Sequence, residues 1–155
     1  MTHDYEHILV GVDGSKEADL AFKKAVEAAK RNDGELIIAH VVDTRSYQGF
    51  DNYDGNLPEK NRKEIKENLQ EYKRLAREAG QYNVRTLLEY GSPKKRLARL
   101  IPEREHVDLV ILGATGLNAI ERMFIGSVSE YVIRNAVCDV LIVHTDMKNV
   151  PFEEA

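Results

Sequence analysis

Five short apolar runs punctuate the chain, and between them apolar residues recur every three to four positions. The first run is Ile8-Leu9-Val10-Gly11-Val12, ending at the turn signal Asp13-Gly14-Ser15. An unbroken run of branched residues is expected of a strand covered on both faces. Ala18, Ala21, Phe22, Ala25, Val26 and Ala29 follow at helical spacing, with Ser15 as N-cap and Asn32-Asp33-Gly34 as the stop. Leu36 to Val42 is the second strand. A helix from about Pro58 places Ile65, Leu69, Tyr72, Ala76 and Ala79 on one face and halts at Gly80. Val84 to Tyr90 is the third strand, and Ser92-Pro93 opens a helix with serine as cap and proline in the first turn. Pro102 is expected to end or kink that helix early. Leu109 to Leu112 is the fourth strand, Val128, Val132, Ile133 and Ala136 mark the last helix, and Val140-Leu141-Ile142-Val143 is the fifth strand.

Strands alternating with amphipathic helices predict βαβ units and a parallel α/β sheet with right-handed crossovers. Ligands of such sheets bind beyond the carboxyl ends of the strands, where Asp13, Val41 and Gly113 fall. Residues 43–57 are polar, rich in Gly, Asn and Asp, and carry Tyr47, Phe50 and Tyr53. That is long for a connection in a compact domain, and a mobile, functional loop is expected there. The 155 residues read as a single domain with an ordered core of about 5–146 and a loose tail over 147–155.

Composition narrows the function classes. Hydrophobic residues make up 43% and charged residues 31%, the balance of an ordinary soluble domain. A formal net charge of −4 speaks against a general nucleic-acid binder. The local basic triplet Lys94-Lys95-Arg96 reads first as a solvated helical turn. Cys138 is the single cysteine, so no intrachain disulfide can form, and it is expected to be buried and inert. No membrane partner is expected, since no apolar run approaches the ~18 residues of a membrane span. The polar start Met1 to His7 does not resemble a signal peptide, and a cytoplasmic location is expected.

The candidate chemistry lies in Gly113-Ala114-Thr115-Gly116, followed after nine residues by Gly126-Ser127. Strand, glycine loop and helix start in that order suit a phosphate. Glycines admit close approach and positive φ, and a helix N-terminus offers unpaired N–H groups at the positive end of its dipole. A plain strand-to-helix loop would carry glycines too. Other phosphate and catalytic signatures are missing: there is no GxxxxGK[ST], no GxGxxG after the first strand and no GxSxG. His3, His7, His40, His106 and His144 are scattered without zinc-ligand spacing.

At these residues the chain resembles the universal stress protein family, whose nucleotide-binding members carry G-x2-G-x9-G-[S/T]. The resemblance extends over Ile8 to Ser15, His40-Val41-Val42-Asp43, Tyr90-Gly91-Ser92-Pro93, Asp108 to Gly113, Gly126 to Glu130 and Val140 to Val143. It implies a three-layer sandwich around a five-stranded parallel sheet of order 3-2-1-4-5, of the Rossmann-like adenine nucleotide alpha hydrolase type. It implies that ATP or AMP is bound, with Gly113, Gly116, Gly126 and Ser127 at the phosphates and ribose. Asp13 would sit near ribose and adenine, and Val12 and Val41 would line the base pocket. It also points to a homodimer through Val140, Leu141, Ile142 and Val143, an edge strand open to pairing.

Each residue keeps a second reading. Asp13 accepts hydrogen bonds from a ribose or an adenine amino group, or forms a turn with Gly14. Val41 lines a pocket or packs the core. Ser127 holds phosphate, or caps its own helix through the capping box Ser127-Val128-Ser129-Glu130, in which Glu130 is structural. Val128, beside Ser127, is counted with the site. Thr115 donates its hydroxyl to the ligand or bonds its own backbone; Arg122 reaches the phosphates or stands exposed. Leu117, Ile120, Met123, Phe124 and Ile125 are too apolar for a bare solvated loop.

No base or acidic pair for phosphoryl transfer stands out. The leading expectation is therefore a nucleotide-dependent regulatory protein, with loop 43–57 ordering on binding and Tyr47 or Tyr53 closing over the base. Magnesium or manganese would arrive with the phosphates. A slow ATPase or nucleotidyl transferase is the alternative. A receiver-like signalling domain is a third reading, weakened because Asp13 lacks an acidic partner and His144-Thr145 follow the fifth strand where a lysine is usual.

Overall fold

The computed structural model describes residues 4–47, 59–114 and 125–144, with only the backbone of Ser46 and Tyr47. The expectations for Thr115, Gly116, Arg122, Phe50, Tyr53, Leu117, Ile120, Met123, Phe124 and the tail from Met147 lie outside the described residues, as does any closure by the Tyr47 side chain.

Five parallel strands, β1 (His7–Gly11), β2 (Glu35–Asp43), β3 (Val84–Gly91), β4 (Leu109–Gly113) and β5 (Asp139–Val143), form one sheet of order β3-β2-β1-β4-β5. Ile8, Leu9 and Val10 of the central strand are fully buried. The pleat sends Ile8, Val10, Leu36, Ile38, Leu109 and Ile111 into one layer and Leu9, Ile37, Ala39, Val110 and Leu112 into the other. That two-sided burial is why the strands are unbroken apolar runs.

Helix α1 (Lys16–Asn32) starts as expected: the Ser15 hydroxyl accepts the N–H of Ala18 at 3.2 Å. It ends with Asp33 in the left-handed region, φ 52°. A 3-10 turn, Thr44–Tyr47, follows β2, so the connection after Asp43 begins with local structure. Helix α2 (Glu59–Glu78) buries Leu69, Tyr72 and Ala76, the face the spacing predicted. The Tyr72 ring packs on Phe22 with centroids 4.9 Å apart, and its hydroxyl donates to Asp19 at 2.5 Å. Burial and that carboxylate push the Tyr72 phenol up.

Of the two outcomes expected at Pro102, an end to the helix is not met; the helix is instead distorted just before it and stops three residues after it. Helix α3 (Pro93–Lys95) runs through a π-helical turn, Arg96–Leu100, into α4 (Ile101–Glu105). In the widened turn the Ile101 N–H donates five residues back, to Arg96. Pro102 has no N–H for the Ala98 carbonyl. That carbonyl instead accepts the N–H of Val137 at 3.2 Å, so an outside donor satisfies the group proline leaves open.

The basic triplet is partly spent on the fold. The Arg96 guanidinium donates to the Tyr90 carbonyl at 2.7 Å and to Glu89 at 3.1 Å. Beside it, Arg85 bridges Glu35 at 3.0 Å and Glu105 at 2.6 Å, and Arg104 pairs with Glu89 and Glu105, tying α4 to β2 and β3. Arg104 and Arg85 hold the Glu105 carboxyl below its ordinary 4.5. A depressed carboxylate stabilises the fold above its unfolded pKa and loses that contribution as pH falls through its folded value. The melting temperature is therefore expected to fall on acidification from pH 5 to about 3. In Glu105→Gln it should start lower at neutral pH and converge on wild type in acid; parallel pH curves for the two proteins in thermal melts would remove Glu105 from the account.

Candidate functional site

Strand β1 lies between β2, reached through α1, and β4, reached through the opposite layer. The strand order reverses here, and a cleft opens beyond the strand carboxyl ends. Its volume is about 480 Å³.

One wall is the β1–α1 turn. Val12 is buried, and its N–H donates to the Ala39 carbonyl at 2.9 Å, prolonging the ladder past Gly11. Asp13 is exposed, and its Oδ1 accepts the Ser15 N–H at 3.0 Å, closing a turn in which Gly14 has φ 86°. The turn reading of Asp13 therefore holds, and one accepted bond leaves the carboxylate capacity for others. The second wall is apolar: Ala39, Val41, Pro93 and Leu97. Val41 is half-buried and packs against the α3–α5 layer, so core packing and pocket lining coincide in it.

The floor joins β4 to α5 (Ser127–Asn135). Gly113 closes β4, and a Cβ built on it would lie 2.7 Å from the backbone oxygen of Glu17. This glycine is required by the approach of α1. Positive φ among the described glycines is confined to Gly14, Gly80 and Gly91, so Gly113 and Gly126 do not serve the motif through left-handed backbone.

The capping-box reading of Ser127 is corrected. Gly126 is the N-cap, with φ −63° and ψ 161° and no side chain to cap with, and Ser127 is the first helical residue. The S-x-x-E pattern is thus out of frame by one residue, and Glu130 pairs with Arg134 at 3.0 Å. The first N–H groups of α5 have no intrahelical partner, and among the described residues the N-cap makes no side-chain cap hydrogen bond. The Ser127 hydroxyl is exposed at this end.

Val12, Asp13, Val41, Gly113, Gly126, Ser127 and Val128 all line this cleft. Ser129 and Glu17, which also line it, were not singled out from sequence. Ser129 is buried, and its hydroxyl donates to the Gly113 carbonyl at 2.9 Å, binding the start of α5 to the end of β4. It shares the inward side of buried Val132 and partly buried Ala136, and a serine in such a stripe needs a polar partner; that signal was available. His40 shares the strand parity of Leu36 and Ile38, away from the cleft; burial pulls its pKa down against the opposing pull of Asp13. Cys138 is half-buried, and burial pushes its thiol up to about 11, as an unreactive cysteine requires. Among the described residues no group of three or more His, Cys, Asp or Glu could hold a metal ion, and no helix is long and apolar enough to cross a membrane.

Fold and cleft together define a doubly wound α/β domain whose strand-end pocket finishes on a helix N-terminus with a glycine N-cap. The chain belongs to the universal stress protein family, whose model matches residues 4–144. A universal stress protein of Staphylococcus haemolyticus is 47% identical over 142 residues, 92% of this chain and 86% of that protein. A solved universal stress protein from Lactobacillus plantarum is 28% identical with a TM-score of 0.74, covering 90% of this chain and 97% of that one. Another, solved in complex with cAMP, is 29% identical with a TM-score of 0.69, covering 92% of this chain and 99% of that one.

Proposed function

We propose that the chain binds an adenine nucleotide, ATP or AMP, in the strand-end cleft and acts as a nucleotide-dependent regulatory protein of the cytoplasm. The observation that carries this reading is the start of α5: Gly126, Ser127, Val128 and Ser129 all line the cleft, and the N-cap is a glycine with no side chain of its own to offer the first backbone N–H groups. The related structure in complex with cAMP supports the ligand class. In this reading Gly113, Gly126, Ser127 and Val128, with Thr115, Gly116 and Arg122, hold the phosphates. Asp13 accepts from the ribose or the adenine amino group, and Val12 and Val41 flank the base. Magnesium or manganese accompanies the phosphates with mostly water and phosphate ligands.

The test uses protein purified without added nucleotide, denatured and filtered, with the released small molecules identified by chromatography and mass spectrometry. Near-stoichiometric ATP or AMP is expected. An empty filtrate, followed by no signal on titration with ATP and magnesium, would sink the reading.

The second part of the proposal is a homodimer through β5. This strand ends the sheet, Leu141 on it is 41% exposed, and Ile133 and Val137 nearby also present apolar surface. An unpaired apolar edge favours pairing with a second copy. Light scattering at micromolar concentration is expected to give twice the chain mass, and a charged substitution, Leu141→Lys, to give the monomer; a monomeric wild type would refute the pairing.

A further inference from the structure

Glu17 stands in the first turn of α1 and lines the cleft. Gly113 lies against both Glu17 and the start of α5. On one side, a Cβ built on Gly113 would lie 3.0 Å from the Glu17 Cβ. On the other, the Gly113 carbonyl accepts the bond from Ser129, the third residue of α5. An anion seated on the α5 N-terminus is thus within about a Debye length, ~10 Å at 0.1 M salt, of the Glu17 carboxylate. Among the described lining residues the charged side chains are Asp13 and Glu17, and none is Lys, Arg or His. The helix end attracts phosphate; the carboxylate beside it opposes charge in excess of what that end offsets.

We infer that Glu17 is a specificity-determining residue, resting on the reading that an adenine nucleotide occupies this cleft: its charge penalises a ligand in proportion to the negative charge brought to the α5 N-terminus. A monophosphate meets the smaller penalty, and a triphosphate enters better with a divalent cation that offsets its charge than without one. The phosphate count the cleft prefers then depends on magnesium.

The experiment measures Kd for ATP and AMP, each in magnesium and in EDTA, by calorimetry on nucleotide-free protein. Glu17→Gln keeps the shape and removes the charge. It is expected to tighten ATP binding in EDTA by about tenfold and AMP by about threefold, the larger ligand charge gaining more. The ratio of ATP Kd values without and with magnesium should narrow, and the gain should shrink at high salt. Glu17→Asp keeps the charge and should keep the wild-type selectivity. Glu27→Gln, an exposed site on the same helix, makes the same change in net charge and should leave every Kd unchanged. Equal shifts for ATP and AMP in Glu17→Gln, no shift, or the same shift in Glu27→Gln would overturn the role of Glu17. A wild type that binds neither nucleotide, with or without magnesium, would instead overturn the nucleotide reading itself, and this inference with it.

Discussion

Gly113→Ala is expected to destabilise the protein by about 3 kcal/mol, lowering its melting temperature by roughly 6–12 °C for a domain of this size. The added methyl would meet the Glu17 backbone oxygen at 2.7 Å and its carbonyl carbon at 2.9 Å. Neither side can yield cheaply. Gly113 is held in register opposite Val143, the next N–H, of Ala114, donates to the Val143 carbonyl at 2.9 Å, and the Gly113 carbonyl is taken by Ser129. Glu17 lies in a helix that is capped by Ser15 and anchored by eight buried side chains from Ala18 to Ala29. Relief therefore moves α1 against the sheet, and the cost is an overpacking cost. Thermal or urea unfolding reads it directly. A variant as stable as wild type would mean that the first turn of α1 does not press on the end of β4.

That result would also show what a glycine motif hides. In the sequence, Gly113 and Gly126 read alike, as glycines of one phosphate loop. In the structure the first answers to a neighbouring helix and the second is the N-cap of α5, lining the cleft. The strands were legible because both faces of each are buried, so Ile8 to Val10 and Leu109 to Leu112 carry no polar interruption. The buried face of α2 was legible from the spacing of Leu69, Tyr72 and Ala76. What local pattern missed were events decided by distant donors. At Pro102 the Ala98 carbonyl is taken by the N–H of Val137, and no rule applied within the helix could supply that partner. The capping box failed by one residue, because S-x-x-E fixes which residues can cap and leaves open where the helix begins. Glu17 went unnoticed for the same kind of reason: its closeness to α5 runs through Gly113, far along the chain. Ser129 is different, since its place in an apolar stripe did call for a partner.

Gly126→Val is expected to leave the melting temperature close to wild type and to weaken ATP binding by at least about 100-fold. The backbone at Gly126, φ −63° and ψ 161°, is extended conformation that valine adopts without strain, so folding should lose only the cap preference of glycine over valine, about 1 kcal/mol or less. The ligand meets a different situation. Gly126 lines the cleft together with Ser127, Val128 and Ser129, so the branched side chain is expected to take up space a ligand at the helix start would need. A charge-assisted hydrogen bond to phosphate is worth roughly 1.5–3 kcal/mol, so one strong or two ordinary losses amount to about two decades in Kd. Calorimetric titration paired with a melting curve separates the two effects, and undiminished affinity in a folded variant would remove the α5 N-terminus from the site. Gly126→Ser sharpens the contrast. A serine N-cap can offer its own oxygen to the N–H groups two and three residues on, the same donors a phosphate would use. It should raise stability by about a few tenths of a kcal/mol while weakening the nucleotide. Opposite signs on stability and affinity from one hydroxyl would mean that the glycine at this cap keeps the helix end open for an anion.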